Sequence, residues 1–111
     1  MIFVTGPLFA GKRDYVRSAL GWTEEELARR CVWDVQELAR PDTDLAALAD
    51  QLAKKDVVIA TEVGGGVVPV DPHQRACREG AGRLACLLAQ RADTVIRVCC
   101  GLPQCLKGQL P

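Results

Sequence analysis

No apolar run in this sequence approaches the roughly 20 residues needed to cross a bilayer, so a membrane-spanning helix is not expected. The opening Met1-Ile2-Phe3-Val4-Thr5 has no basic segment and runs at once into glycine. It therefore does not read as a secretion signal, and the expected location is the cytoplasm. Positive charge is not concentrated either: 14 Lys and Arg balance 14 Asp and Glu. They lie scattered along the chain and leave no basic stripe for nucleic acid or an anionic membrane. Histidine is limited to His73, and the six cysteines (Cys31, Cys77, Cys86, Cys99, Cys100 and Cys105) contain no C-x-x-C pair. A closed zinc site needs four ligands at recognisable spacing, and disulfide frameworks belong to oxidising compartments. The cysteines accordingly read as reduced thiols used as small core hydrophobes. Internal repeats, low-complexity tracts and linkers are also missing, so residues 1–111 read as a single domain.

What is present is an alternation of strand-like and helix-like segments. Ile2-Phe3-Val4-Thr5 is a short β-rich run closed by Gly6, and Tyr15, Val16, Ala19 and Leu20 follow at helical spacing. Thr23 and Glu26 fit a capping box for a helix to Arg30, before the apolar Cys31-Val32-Trp33. Beyond Pro41 and Asp42, Leu45, Leu48, Ala49 and Leu52 mark one helix face. Val57-Val58-Ile59-Ala60 is apolar without alternation, as in a strand covered on both sides. Gly64-Gly65-Gly66 reads as a loop, and Val67-Val68-Pro69-Val70 as a short extended piece. Asp71-Pro72 then supplies a cap and a first-turn proline to a helix with Cys77, Ala81, Leu84, Leu87 and Leu88 on its apolar face. Gly80 and Gly82 inside that helix suggest close packing. The segment 94–100 is the last expected strand, followed by a Gly-Leu-Pro turn and a tail. This order predicts a three-layer α/β fold with a mainly parallel sheet.

Gly6-Pro7-Leu8-Phe9-Ala10-Gly11-Lys12 matches G-x-x-x-x-G-K between a strand and a helix, the context that gives this pattern its meaning. Backbone N–H groups of such a loop point at a bound phosphate, the helix dipole adds favourable potential, and the lysine reaches the terminal phosphates. A nucleoside triphosphate, ATP or GTP, is the ligand this loop predicts. Arg13 occupies the place of the Ser or Thr whose hydroxyl usually ligates Mg2+, so the loop lacks that metal ligand. Asp34, at the end of the second strand, is either a metal-orienting aspartate or a surface or cap residue. Glu62 emerges at the carboxyl edge of the sheet, where open α/β folds place ligands. There it can assist a metal or accept a hydroxyl proton, or be a solvated turn residue. His73 falls in a first helical turn, facing either solvent or ligand, and Arg75, Arg78 and Arg83 share its helix.

Four stretches together resemble the adenosylcobinamide kinase and adenosylcobinamide-phosphate guanylyltransferase family. They are the N-terminal phosphate loop, Glu62-Val63-Gly64-x-Gly66-x-Val68-Pro69, Arg75-x-x-Arg78-Glu79-x-x-Gly82-Arg83, and Arg97-Val98-x-x-Gly101-Leu102-Pro103-x-x-Leu106-Lys107-Gly108. The resemblance implies a P-loop fold of the RecA-like type, a homotrimer, and a place late in cobalamin synthesis. It also implies two reactions: transfer of the terminal phosphate of ATP or GTP to the aminopropanol hydroxyl of adenosylcobinamide, and attachment of GMP through a guanylylated histidine. The segment between the first helix and Asp56 is shorter than the family pattern and carries no histidine, while His73 lies in the later helix motif. The expected function is a kinase-like transferase in which Gly6 to Arg13 hold the nucleotide, Lys12 and Glu62 serve the chemistry, and the guanylyltransferase half is lost. The alternative is a catalytically degraded nucleotide-binding paralogue that acts as a regulatory or assembly partner. By the same resemblance, Val67-Val68-Pro69-Val70 would lie at a subunit contact.

Overall fold

Strand β1 (Ile2–Gly6) runs up the middle of the sheet, flanked by β3 (Val57–Thr61) and β4 (Thr94–Cys99), both parallel to it. The computed structural model describes residues 1–63 and 71–111, and the sequence expectations for the glycine loop and for the valine-rich 67–70 stretch fall outside that range. The short β2 (Cys31–Val32) pairs in parallel with β3, and β5 (Leu102–Lys107) pairs antiparallel with β4, giving the order β2-β3-β1-β4-β5.

Helices α1 (Lys12–Leu20) and α2 (Glu24–Arg30) contribute to one face, and α3 (Leu45–Leu52) and α4 (Pro72–Arg91) to the other. The unalternating apolar run of β3 has the predicted cause. Val57 and Ile59 pack with Val4, Val16, Ile96 and Val98 on the α1 side, while Val58 and Ala60 pack with Phe3, Leu84 and Leu88 on the α4 side. With both faces covered, every position of the strand removes apolar area from water, at about 25 cal/mol per Å2.

Local signals placed the helix starts well. Thr23 caps α2 through the Glu26 N–H at 3.2 Å, and the Glu26 carboxylate accepts the Thr23 N–H at 3.3 Å, completing the capping box. Asp71 caps α4 through the His73 N–H at 2.9 Å, with Pro72 in the first turn. Asp44 caps α3 through the Ala47 N–H at 3.1 Å, and the helix begins at Leu45, where the apolar pattern begins, and ends at Leu52.

Three expectations need correction. The segment after β4 is not a tail: a turn at Cys100 and Gly101, both with positive φ, reverses the chain into β5. The cysteines do not generally serve as core residues, since only Cys31 is buried and Cys86, Cys100 and Cys105 are exposed. Gly80 is a close-packing position, where a Cβ would come within 3.0 Å of the Ala39 carbonyl oxygen, but Gly82 faces open space. A single 3-10 turn, Val35–Leu38, was also absent from the periodicity reading. It sends the buried Val35 into the α4-side core.

Candidate functional site

The parallel strands deliver their carboxyl ends to one edge, and the chain leaves β1 there through residues 7–11 before entering α1. Gly6 has a φ of 155°, and a Cβ at this position would come within 2.2 Å of the Val98 carbonyl oxygen. Only glycine lets β1 turn out so close to β4. Gly11, at φ 82°, turns the loop into α1, and Gly101 N–H donates to the Ala10 carbonyl at 2.8 Å, tying the loop to the turn after β4. No side chain caps α1. Its first-turn N–H groups lie at the positive end of the helix dipole, where negative charge is favoured. The loop tip carries Leu8 and Phe9, the latter 93% exposed and at φ 58°.

Lys12 is buried at the base of this loop, and its Nζ donates to the Pro7 carbonyl at 2.7 Å. Burial lowers its pKa, and the charges of Asp34 and Glu62 oppose that shift. The three sequence candidates Lys12, Asp34 and Glu62 thus share one electrostatic neighbourhood although they come from α1, the end of β2 and the end of β3. Asp34 is exposed, sits at φ 57° before the 3-10 turn, and makes no side-chain cap there.

Glu62 is fixed at both ends. Its N–H donates to the Gly6 carbonyl at 2.8 Å, and its carboxylate oxygens accept from Arg97 Nε at 2.5 Å and Nη2 at 3.0 Å. The Arg97 hydrogen bonds hold the Glu62 carboxyl below its ordinary range, and Glu62 in turn raises the Arg97 pKa. Arg97 Nη1 also donates to Cys99 Sγ at 3.1 Å. Next to Glu62, the Thr61 N–H donates to Gln36 Oε1 at 2.9 Å, which anchors the end of β3 to the 3-10 turn.

Residues 15–106 match the sequence model of the family described as cobinamide kinase / cobinamide phosphate guanyltransferase. The chain belongs to this family. Glu62, His73, the α4 arginines and Arg97 lie inside the matched segment, while the loop Gly6–Lys12 and Arg13 precede it. No curated protein matches the chain.

Within this family member, sequence reasoning named Arg97 only as part of a motif and assigned it no role. The available signal was a charged residue in an otherwise apolar strand, Thr94-Val95-Ile96-Arg97-Val98-Cys99. His73 is exposed in the first turn of α4, with Nε2 3.7 Å from Cys77 Sγ, and lines a cleft of about 390 Å3 with Gln36, Arg40 and Cys77. A larger open cleft of about 760 Å3 lies between α3 and α4, lined in part by Leu45, Gly82, Arg83 and Leu87. Neither is lined by residues of the loop between β1 and α1.

The donors at the sheet edge do not suit Mg2+. Arg13 replaces the hydroxyl ligand, the charge of Glu62 is paired with Arg97, and the remaining carboxylate, Asp34, lies in the field of Lys12. The guanidinium of Arg13 lies 5.1 Å from the centre of the Trp33 ring.

Proposed function

We propose that this chain is a P-loop nucleotide-binding transferase that moves the terminal phosphate of ATP or GTP to the aminopropanol hydroxyl of adenosylcobinamide. The observation that carries this reading is the loop Gly6–Lys12, running from the central strand into α1 with Lys12 at its base and Glu62 hydrogen-bonded to its first residue. Backbone N–H groups and Lys12 bind and orient the phosphates. The acceptor hydroxyl oxygen attacks the terminal phosphorus, the bond from that phosphorus to the bridging oxygen breaks, and the nucleoside diphosphate leaves. The hydroxyl proton passes to Glu62, whose carboxylate oxygens keep acceptor capacity beyond the Arg97 bonds.

The guanylyltransferase half is lost in this proposal, because the shortened segment before Asp56 has no histidine. A second reading, a nucleotide-binding paralogue with a regulatory or assembly role, is favoured by one observation: the clamp of Arg97 on the candidate base. Incubation with adenosylcobinamide and ATP or GTP labelled on the terminal phosphate separates the two. Label on the corrinoid supports the transferase, while nucleotide binding without transfer supports the paralogue. GMP carried onto His73 from GTP labelled on its α-phosphate, with pyrophosphate released, would overturn the loss of guanylyl transfer.

A further inference from the structure

We propose that this site binds its triphosphate without a divalent cation, with the guanidinium of Arg13 supplying positive charge in the metal's place; the inference rests on the nucleotide reading of Gly6–Lys12. Arg13 lies in the first turn of α1, directly after Lys12, in the position where a hydroxyl would ordinarily hold the cation. An arginine there has no acceptor lone pair to offer a metal.

Its surroundings point to an anion. The guanidinium lies over the ring of Trp33, 5.1 Å from its centre, and Trp33 directly precedes Asp34. A cation–π contact does not take up all five N–H donors of a guanidinium, and those left over can make a bidentate contact with a phosphate. Among the described residues no carboxylate lies within ion-pair distance of Arg13, in contrast to Arg17, Arg30, Arg91 and Arg97. Arg13 is exposed on the helix that the phosphate loop feeds.

The neighbouring charges argue in the same direction. A dication at this edge would meet the positive charges of Lys12 and Arg97, against Asp34 and a Glu62 whose charge is paired with Arg97. Like charges at close range repel most where water is partly excluded. A triphosphate reverses that balance, since it brings the negative charge that Lys12 and Arg13 lack.

The test is calorimetric titration of the full chain with ATP and with GTP, once in excess EDTA and once in excess Mg2+. Wild-type affinity should agree between the two buffers within about threefold. Arg13→Ser should bind about tenfold or more weakly in EDTA and recover part of that loss when Mg2+ is added. Arg13→Lys, which keeps the charge, should lose less and stay indifferent to Mg2+; circular dichroism confirms that both variants fold. Wild-type affinity falling about tenfold in EDTA would overturn the inference while leaving nucleotide binding intact. So would an Arg13→Ser protein that binds as tightly as wild type in EDTA. Absence of wild-type binding in both buffers would overturn the nucleotide reading itself and this inference with it.

Discussion

Arg97 grips both carboxylate oxygens of Glu62 across the end of β1, the strand that leads into the phosphate loop. Thr5 of β1 lies between Ala60 and Arg97 in the sheet register, and Gly6 lies opposite Thr61, so the pair closes over the exit of the central strand. Glu62 is thereby held as an oriented carboxylate whose charge is felt by Lys12.

This contact makes stability depend on pH in a defined direction. The folded pKa of Glu62 lies below its ordinary value of 4.5. The contribution is therefore complete above that value and is lost as pH falls through the depressed one. Both side chains are more than a third exposed, so solvent screening keeps the effect small. Urea unfolding of wild type and Glu62→Gln, at neutral pH and in steps below pH 4.5, should bring the two stabilities together as the pH falls. Curves that stay parallel throughout would show that the clamp carries no linkage.

Loss of the loop lysine should cost affinity and leave the fold intact. A hydrogen bond to a charged group contributes about 1.5–3 kcal/mol, so Lys12→Met, which keeps the buried stem, should weaken ATP and GTP binding roughly 10- to 100-fold. Calorimetry reads the affinity, and a melting curve checks that the variant is folded. Unchanged affinity would remove Lys12 from the site.

The glycines separate by position. Gly6→Ala would force a Cβ to 2.2 Å from the Val98 carbonyl oxygen. The expected result is a loss above about 4 kcal/mol or failure to fold. Gly82→Ala meets open space in a helix interior and should stabilise by about 1 kcal/mol. Thermal melts of the two variants should move in opposite directions.

Oligomeric state tests the family resemblance independently of chemistry. Strand β5 is exposed on both faces, with Leu102 70% and Leu106 55% exposed, and natural proteins usually cover or blunt such an edge. We expect a homotrimer by light scattering at micromolar concentration. A stable, soluble monomer would count against that assembly.

Much of the architecture was legible because its signals are local. The glycine-lysine loop, the Thr23 and Asp71 caps and the doubly buried run of β3 each depend on residues close together in the chain. Gly80 and Gly82 look alike in the sequence, and only the packing of α4 against Ala39 separates them. Cys31 and Cys105 are likewise the same residue type. One is buried in the α1-side core, where its thiol is pushed up to about 12, and the other is exposed on β5.

The sequence by itself determined the order of elements, the phosphate-loop pattern and the residue types available at the sheet edge, since periodicity, capping and turn chemistry act over a few residues. Tertiary structure alone decided that Arg97 meets Glu62 35 positions away, that Gln36 anchors Thr61 25 positions away, and that the segment after Cys100 turns back as an edge strand. Those pairings depend on which strands lie side by side and in what register, and strand neighbourhood is set by burying the two faces of the sheet as a whole, a property that no local stretch of sequence encodes.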